Sequence, residues 1–399
     1  MLLAGLTLIP PMLVVFGRAA FWPRVPRLGD PEPRPQALWR AVSTFVSKRP
    51  GTAAVVSTVV LLGLATGIFG YGERFDLLKS FLKPTGSAQG YDLLRAGFGA
   101  GTLAPTTVVI TPSRGASAVE SAVLGVSHAM ATVPTVASVR PQGVSRDGRT
   151  AVLSLTFVGD PYAASAVDSI PDLRARAEAV MARVGGGSVL VGGETSIAND
   201  TCSLSDRDTR IVVVAVLILI ALVLGLLLRS AIAPLFLLPI NALSYGAALG
   251  LIVVLNRTLL GSDTFGTQVA LDLFVFLSAL GADYNIFLLS RVREEARDYP
   301  LPDAIRRAVA STGGVITSAG VILASTFMTL SVLPERDVVE LGIGVALGVM
   351  LDTFVVRSLL VPGVTLLIGR LAWWPSQVEP LEHSRQNSAG GDAMSSTTF

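Results

Sequence analysis

Cysteine occurs once in the 399 residues, at Cys202, and histidine twice, at His128 and His383. A lone thiol cannot close a disulfide within the chain, and ligands this few and scattered cannot assemble a Cys/His zinc site. No metal and no cofactor is therefore expected. Charge is scarce too, since Asp, Glu, Lys and Arg make up 15% of the chain against roughly 25% in an ordinary soluble domain. A net charge of +2 leaves little to hold a phosphate backbone, so no nucleic-acid partner is expected. What is present is apolar. Hydrophobic residues make up 51% and the mean hydropathy is +0.62. They are gathered in long uncharged runs between polar stretches, which excludes a soluble multidomain enzyme and directs the chain to a bilayer.

Seven apolar stretches lie at about 1–16, 53–70, 211–228, 231–255, 271–290, 313–333 and 338–368. Six are long enough to cross a hydrocarbon core, which takes roughly 17–25 helical residues. The first is short, and it has neither the basic start nor the small-residue cleavage site of a signal peptide. Orientation follows from arginine and lysine. Residues 17–52 carry Arg18, Arg24, Arg27, Arg34, Arg40, Lys48 and Arg49, and residues 291–312 carry Arg291, Arg293, Arg297, Arg306 and Arg307. Both segments should be cytoplasmic, and alternation then puts the polar region 71–210 outside a plasma membrane that the chain crosses repeatedly. The expected division is a remnant of a transmembrane helix with its interfacial end at 1–22, a Pro-rich cytoplasmic linker at 23–52 and a transmembrane helix at 53–70. An extracytoplasmic domain at 71–210, a five-helix bundle at 211–375 and a disordered cytoplasmic tail at 376–399 complete it.

An internal repeat accounts for the short first stretch. Pro10, Gly17-Arg18 and Trp22-Pro23 align with Pro362, Gly369-Arg370 and Trp374-Pro375 at a constant spacing of 352 residues. Repeats on this scale are common in transporters built from two homologous halves, so the chain reads as the end of one half followed by a second half. In the polar region, strand patterns at 106–111, 135–140, 149–158 and 188–191 alternate with helical ones at 115–132 and 163–184. Glycines 185–187 end the second helix. The order βαββαβ is ferredoxin-like, so the expected fold class is a polytopic α-helical membrane protein with an extracytoplasmic α+β domain. Residues 195–209 should form a helix that runs straight into the next span.

Charges inside the apolar stretches are the candidate site. Asp283 lies roughly 12 Å of helical rise from the Arg291 edge, near the midplane, where an ionised carboxylate costs about 2.5–3.5 kcal/mol and is usually functional. Tyr284 follows it and points about 100° away, so each must find partners on other helices. Asp352 and Arg357 are five residues apart, about 140° around an α-helix, and so are not an i,i+4 pair. Arg357 could snorkel towards water, whereas Asp352 is expected to meet another helix, Asp283 included. Asp272 suits a helix N-terminus, His128 and Cys202 read as surface or packing residues, and Gly313, Gly314, Gly320, Gly342, Gly344 and Gly348 should allow close helix contacts.

The runs LAPTTVVI (103–110), VGGETSIANDT (191–201), RDTRIVV (207–213), LGADYNIFLLSRVREE (280–295), TGGVITSAGVILASTF (312–327) and GVMLDTFVVRSLLVP (348–362) resemble the C-terminal half of MmpL-type transporters of the RND superfamily. The resemblance covers residue 1 to about 375. It implies an extracytoplasmic porter domain and proton-coupled export of lipids or other hydrophobic compounds. It also implies an Asp-Tyr proton-relay pair at Asp283-Tyr284, with further relay residues at Arg291, Asp352 and Arg357. The matching first half, with its own Asp-Tyr pair, is not in this sequence. The implied partners are thus a hydrophobic or lipid substrate, membrane lipids, and a separate N-terminal half-transporter chain or a second copy. An alternative is a non-transporting lipid-binding or scaffold remnant of such a transporter. A remote one is an intramembrane aspartyl protease using Asp283 and Asp352, with an imperfect GxGD motif. The leading expectation is not an enzyme.

Overall fold

The computed structural model describes residues 2–17, 19, 37–74, 80–82, 85–262 and 264–376. Six helices are long and apolar enough to cross a membrane: Pro50–Gly70, Glu194–Leu228, Ile232–Thr258, Val269–Glu295, Leu301–Val332 and Arg336–Trp373, here the first to sixth spans. The second is one continuous 35-residue helix, as its sequence suggests, with Thr195 and Ser196 buried near its start and Ile220, Leu224 and Leu228 near its end. Most of the disordered tail expected at 376–399 and most of the Pro-rich segment lie outside the described residues. The described end of that linker, however, is not a linker. Ala37–Lys48 is an amphipathic helix that buries Trp39, Ser43 and Val46, and its Ser47 hydroxyl donates to the Pro302 carbonyl at 3.2 Å.

Strands are β1 Glu73–Arg74, β2 Thr106–Pro112, β3 Val136–Val144, β4 Ala151–Phe157, β5 Gly187–Gly192 and β6 Phe265–Gly266. Four of them form an antiparallel sheet in the order β3-β4-β2-β5. In β2 and β4 alternate residues are buried, the period of a half-buried strand, and Val108, Ile110, Leu153 and Leu155 are fully enclosed. The helices Val119–Ala131 and Ile170–Val184 complete this core with Ala122, Val126, Leu173 and Ala177. Gly185 ends the second of them in the left-handed region at φ 110°. Arg174 fastens the unit to the second span, donating to both carboxylate oxygens of Asp200 (2.6 and 2.9 Å) and to the Ser196 hydroxyl (2.6 Å).

The bundle has one arginine-rich end and one end that carries the sheet. At the arginine-rich end Arg293 donates to the Leu228 carbonyl (2.7 Å), Ser230 to the Ala372 carbonyl (2.7 Å) and Ser376 to the Arg229 carbonyl (2.8 Å). These bonds tie the second, third, fourth and sixth spans together. At the sheet end β1 pairs in parallel with β6, and the Leu82 amide donates to the Pro334 carbonyl. The repeat is visible in the backbone. Ile9–Phe16 and Val361–Ile368 have the same bounds 352 residues apart, each with a proline in its first turn. Gly17 (φ 50°, ψ −131°) and Gly369 (φ 68°, ψ −139°) close them with the same conformation.

Small residues set the helix spacing, as expected of a bundle with no hydrophobic driving force between its members. Gly320 lies against the Thr353 hydroxyl, Gly344 against Leu273 and Gly348 against Leu277. The tightest crossing, between the first and third spans, was not anticipated. A Cβ on Gly250 would fall on the Leu64 carbonyl oxygen, and one on Gly67 would fall on that of Gly250. Both obstacles are backbone and cannot rotate away. Gly250→Ala should therefore cost about 1–3 kcal/mol, the usual range for overpacking. Thermal unfolding in detergent, with Gly51→Ala as the control at an open position, measures it.

Candidate functional site in the membrane bundle

The sixth span is not a uniform α-helix. Arg336–Leu351 is α-helical, Asp352–Leu360 is π-helical, and Val361–Ile368 returns to α. Pro362 has no N–H, and its ring crowds the carbonyl four residues back, that of Ser358, a conflict that a wider preceding turn relieves. The Ser358 hydroxyl meanwhile donates to the Thr353 carbonyl five residues back, at 2.8 Å. This winding corrects the expectation from α-helical spacing. With i→i+5 bonding, residues five apart share a face, and Arg357 Nη2 donates to Asp352 Oδ2 within one helix. The partner of Asp352 is thus not on a neighbouring helix, and Arg357 does not snorkel. Asp352 is 7% exposed and Arg357 2%.

The fourth span completes the site. The Arg357 guanidinium carbon lies 3.8 Å from the centre of the Tyr284 ring, a cation–π contact in a desolvated setting. Asp283, one residue earlier, points the other way and is exposed on the surface of the bundle. The expected contact of two carboxylates is thus replaced by a chain of carboxylate, guanidinium and phenol. Arg291 stands apart at the arginine-rich end, bound to Glu294 (2.7 Å) and Glu295 (2.6 Å) of its own helix. Asp272 is exposed in the first turn of the fourth span, where the helix N-terminus favours it.

Two small clefts flank the ion pair. One, with room for about one water molecule, is lined by Asn241, Ser244, Tyr284 and Asp352 beside Leu277, Leu280 and Val349. The other, of similar size, is lined by Trp39, Thr312, Thr317, Thr353, Arg357 and Ser358 beside Leu288, Val309 and Ile316. Asp352 Oδ1, Thr353 Oγ1, Arg357 Nε and Nη1, and both side-chain polar atoms of Asn285 are buried without a protein partner. Unpaired donors and acceptors beside clefts of this size suit a bridging water. They do not make an acid dyad. Asp352 is committed to Arg357 and Asp283 faces outwards, so the protease alternative loses its geometry. Among the described residues no group of His, Cys, Asp and Glu could hold a metal.

A second buried acid went unremarked in the sequence although it lies inside an apolar stretch. Glu340 is fully enclosed near the sheet end of the sixth span. It accepts from Asn256 Nδ2 at 3.3 Å and from the Gly266 amide at 3.4 Å. Tyr71 stacks on Phe265 above it. Burial first, then Glu73, Tyr245 and Glu340, pushes the Tyr71 phenol above its ordinary range, so that it stays protonated.

The chain is thus a multi-pass helical bundle with a buried charge pair between its spans and an α/β unit at one end. The MMPL family profile matches residues 94–387, and the chain belongs to that family of the plasma membrane. It is 38% identical over 379 residues to the membrane protein SCO5905 of Streptomyces coelicolor, covering 94% of this chain and 45% of that one. To the apo-petrobactin exporter of Bacillus anthracis it is 34% identical over 395 residues, covering 94% and 52%. To the sulfolipid-1 exporter MmpL8 of Mycobacterium tuberculosis it is 36% identical over 240 residues, covering 59% and 22%. The chain spans about half the length of the first two relatives.

Proposed function

We propose that this chain is the C-terminal half-module of a proton-coupled exporter of lipids or other hydrophobic compounds, with its arginine-rich end in the cytoplasm. The observation that carries the reading is the buried chain Asp352–Arg357–Tyr284 between two small clefts, set in a bundle of apolar spans. Charge there is tolerated only where it does work. Protonating Asp352 would release Arg357 from its counter-ion and leave the Tyr284 ring as its remaining contact, changing how the sixth span packs on the fourth. Each proton driven across 100 mV supplies about 2.3 kcal/mol for that change. Arg291, held by two glutamates at the cytoplasmic edge, serves the same path as an outlet group. The strand order β3-β4-β2-β5 and the shared core of the two helices support a ferredoxin-like porter domain. The names of the relatives support an amphipathic or hydrophobic substrate.

The exposed face of the fourth span supports association. Asp272, Phe276, Ala279, Asp283, Phe287 and Ser290 recur at helical spacing and are all exposed. A carboxylate at mid-bilayer depth facing lipid costs about 2.5–3.5 kcal/mol, so this stripe meets a second bundle, either an N-terminal half-transporter chain or another copy. The test is reconstitution of the active assembly in liposomes with an imposed pH gradient. Asp352→Asn should abolish gradient-driven substrate movement while the protein still inserts, because the amide retains an acceptor for Arg357. Undiminished movement by the variant removes Asp352 from the path and the reading with it.

A further inference from the structure

We infer that Trp39, on the amphipathic helix outside the six spans, is the gate between the buried Arg357 and the cytoplasm. The inference rests on the proton-coupled reading above and adds a residue to it. Ala37–Lys48 lies along the arginine-rich half of the fifth span, held by the Ser47–Pro302 hydrogen bond. Its exposed face carries Arg40 and Lys48, and its inner face presents one large side chain, Trp39, which is 3% exposed.

The indole is wedged at the mouth of the cleft that holds Arg357. On one side it lies against Gly313 so closely that a Cβ there would be 2.6 Å from the ring. On the other it stacks on Phe354 of the π-helical turn, with ring centres 6.5 Å apart and planes 16° from parallel. Phe354 is two residues from Asp352 and three from Arg357, so any change in that turn moves the surface on which the wedge rests. Behind the indole the cleft has an apolar side, formed by Leu288, Val309 and Ile316, and a polar one. Thr312, Thr353 and Ser358 line it with Arg357, and Arg357 Nε, Arg357 Nη1 and Thr353 Oγ1 are buried there without a protein partner. Ser358 and Thr312 lie towards the arginine-rich end from Arg357, since Gly320, eight residues further along the fifth span than Thr312, meets Thr353. Their hydroxyls suit a water-carried proton path, which the apolar lining, with Trp39 its largest member, interrupts. A wedge seated on the turn that carries the ion pair lets the state of the pair decide whether that path is open.

The chain offers a clean assay because Cys202 is its single cysteine. In a Cys202→Ser background, Thr312→Cys places a thiol inside the cleft. Inverted membrane vesicles holding the full chain are then treated with a membrane-impermeant maleimide. Trp39→Ala should raise the labelling rate about tenfold, the change that corresponds to about 1.4 kcal/mol of lost preference for the closed state. It should also raise passive proton leak in liposomes. Trp39→Phe, which keeps a ring on Gly313 and Phe354, should stay close to the parent in both. If Trp39→Ala does not insert, Gly313→Ala tests the same wedge with Trp39 intact by displacing the ring, and should change labelling in the same direction. Equal labelling with and without the indole overturns the gate, as does labelling that rises only from the opposite face of the membrane. Raised labelling with no added proton leak overturns its place in the proton path. Failure of the underlying coupling would register separately, as undiminished substrate movement by Asp352→Asn.

Discussion

Arg357→Met should destabilise the folded bundle by about 3–5 kcal/mol, because it leaves the Asp352 carboxylate buried without its counter-charge. The cation–π contact with Tyr284 is lost in the same substitution, and in a desolvated site that is worth about 2 kcal/mol of the total. Asp352→Leu should cost a similar amount by stranding the guanidinium. The double variant Asp352→Leu/Arg357→Met should be more stable than either single one and close to the parent, since apolar replacement of a whole buried pair is often neutral or stabilising by about 1–4 kcal/mol. Unfolding in mixed micelles, analysed as a double-mutant cycle, measures the coupling. All three variants should transport nothing. Recovery of stability without recovery of transport would identify the pair as retained for function. A single variant as stable as the parent would contradict the burial described here.

Glu340→Ala should loosen the join between the bundle and the sheet-bearing region. The substitution removes the acceptor for Asn256 Nδ2 and for the Gly266 amide, and a buried donor left unsatisfied costs about 1–3 kcal/mol. Gly266 is the end of β6, which among the described residues pairs with β1 alone, and the Phe265 amide donates to the Gly72 carbonyl at 2.8 Å. Amide hydrogen exchange at residues 71–74 and 264–267 should therefore accelerate by about 10- to 100-fold, tenfold for each 1.4 kcal/mol of opening free energy. Exchange in β2 and β4, whose core does not touch Glu340, should be unchanged. Uniform acceleration across the chain would mean global destabilisation and would remove Glu340 as a local pin.

The two buried acids of the sixth span, Glu340 and Asp352, show where local sequence ceases to specify a partner. Asp352 stands out because an uncharged run surrounds it, but α-helical spacing points its carboxylate to a neighbouring helix instead of to Arg357. Residues five apart diverge on an α-helix and converge on a π-helix, and Pro362 is the one local sign of the change. Glu340 lies two residues inside an apolar stretch and so reads as a boundary residue. Its partners, Asn256 and Gly266, are 84 and 74 residues away. Trp39 was hidden in a Pro-rich stretch, and the Gly250 crossing by the absence of any spacing pattern that links it to Gly67.

The helix Gly86–Phe98 and the short strand β1 were not legible in the sequence. The spans, the polar region between the first two, the order of the four sheet strands and their two packing helices, the uninterrupted helix into the second span and the 352-residue repeat were. Each depends on local hydropathy, periodicity or helix-end chemistry, which neighbouring residues suffice to set. The partners of the intramembrane charges were decided only by tertiary structure. A buried charge is stabilised by whatever group the packing brings within a few ångströms, and that depends on helix winding and on backbones meeting at glycines far apart in the chain.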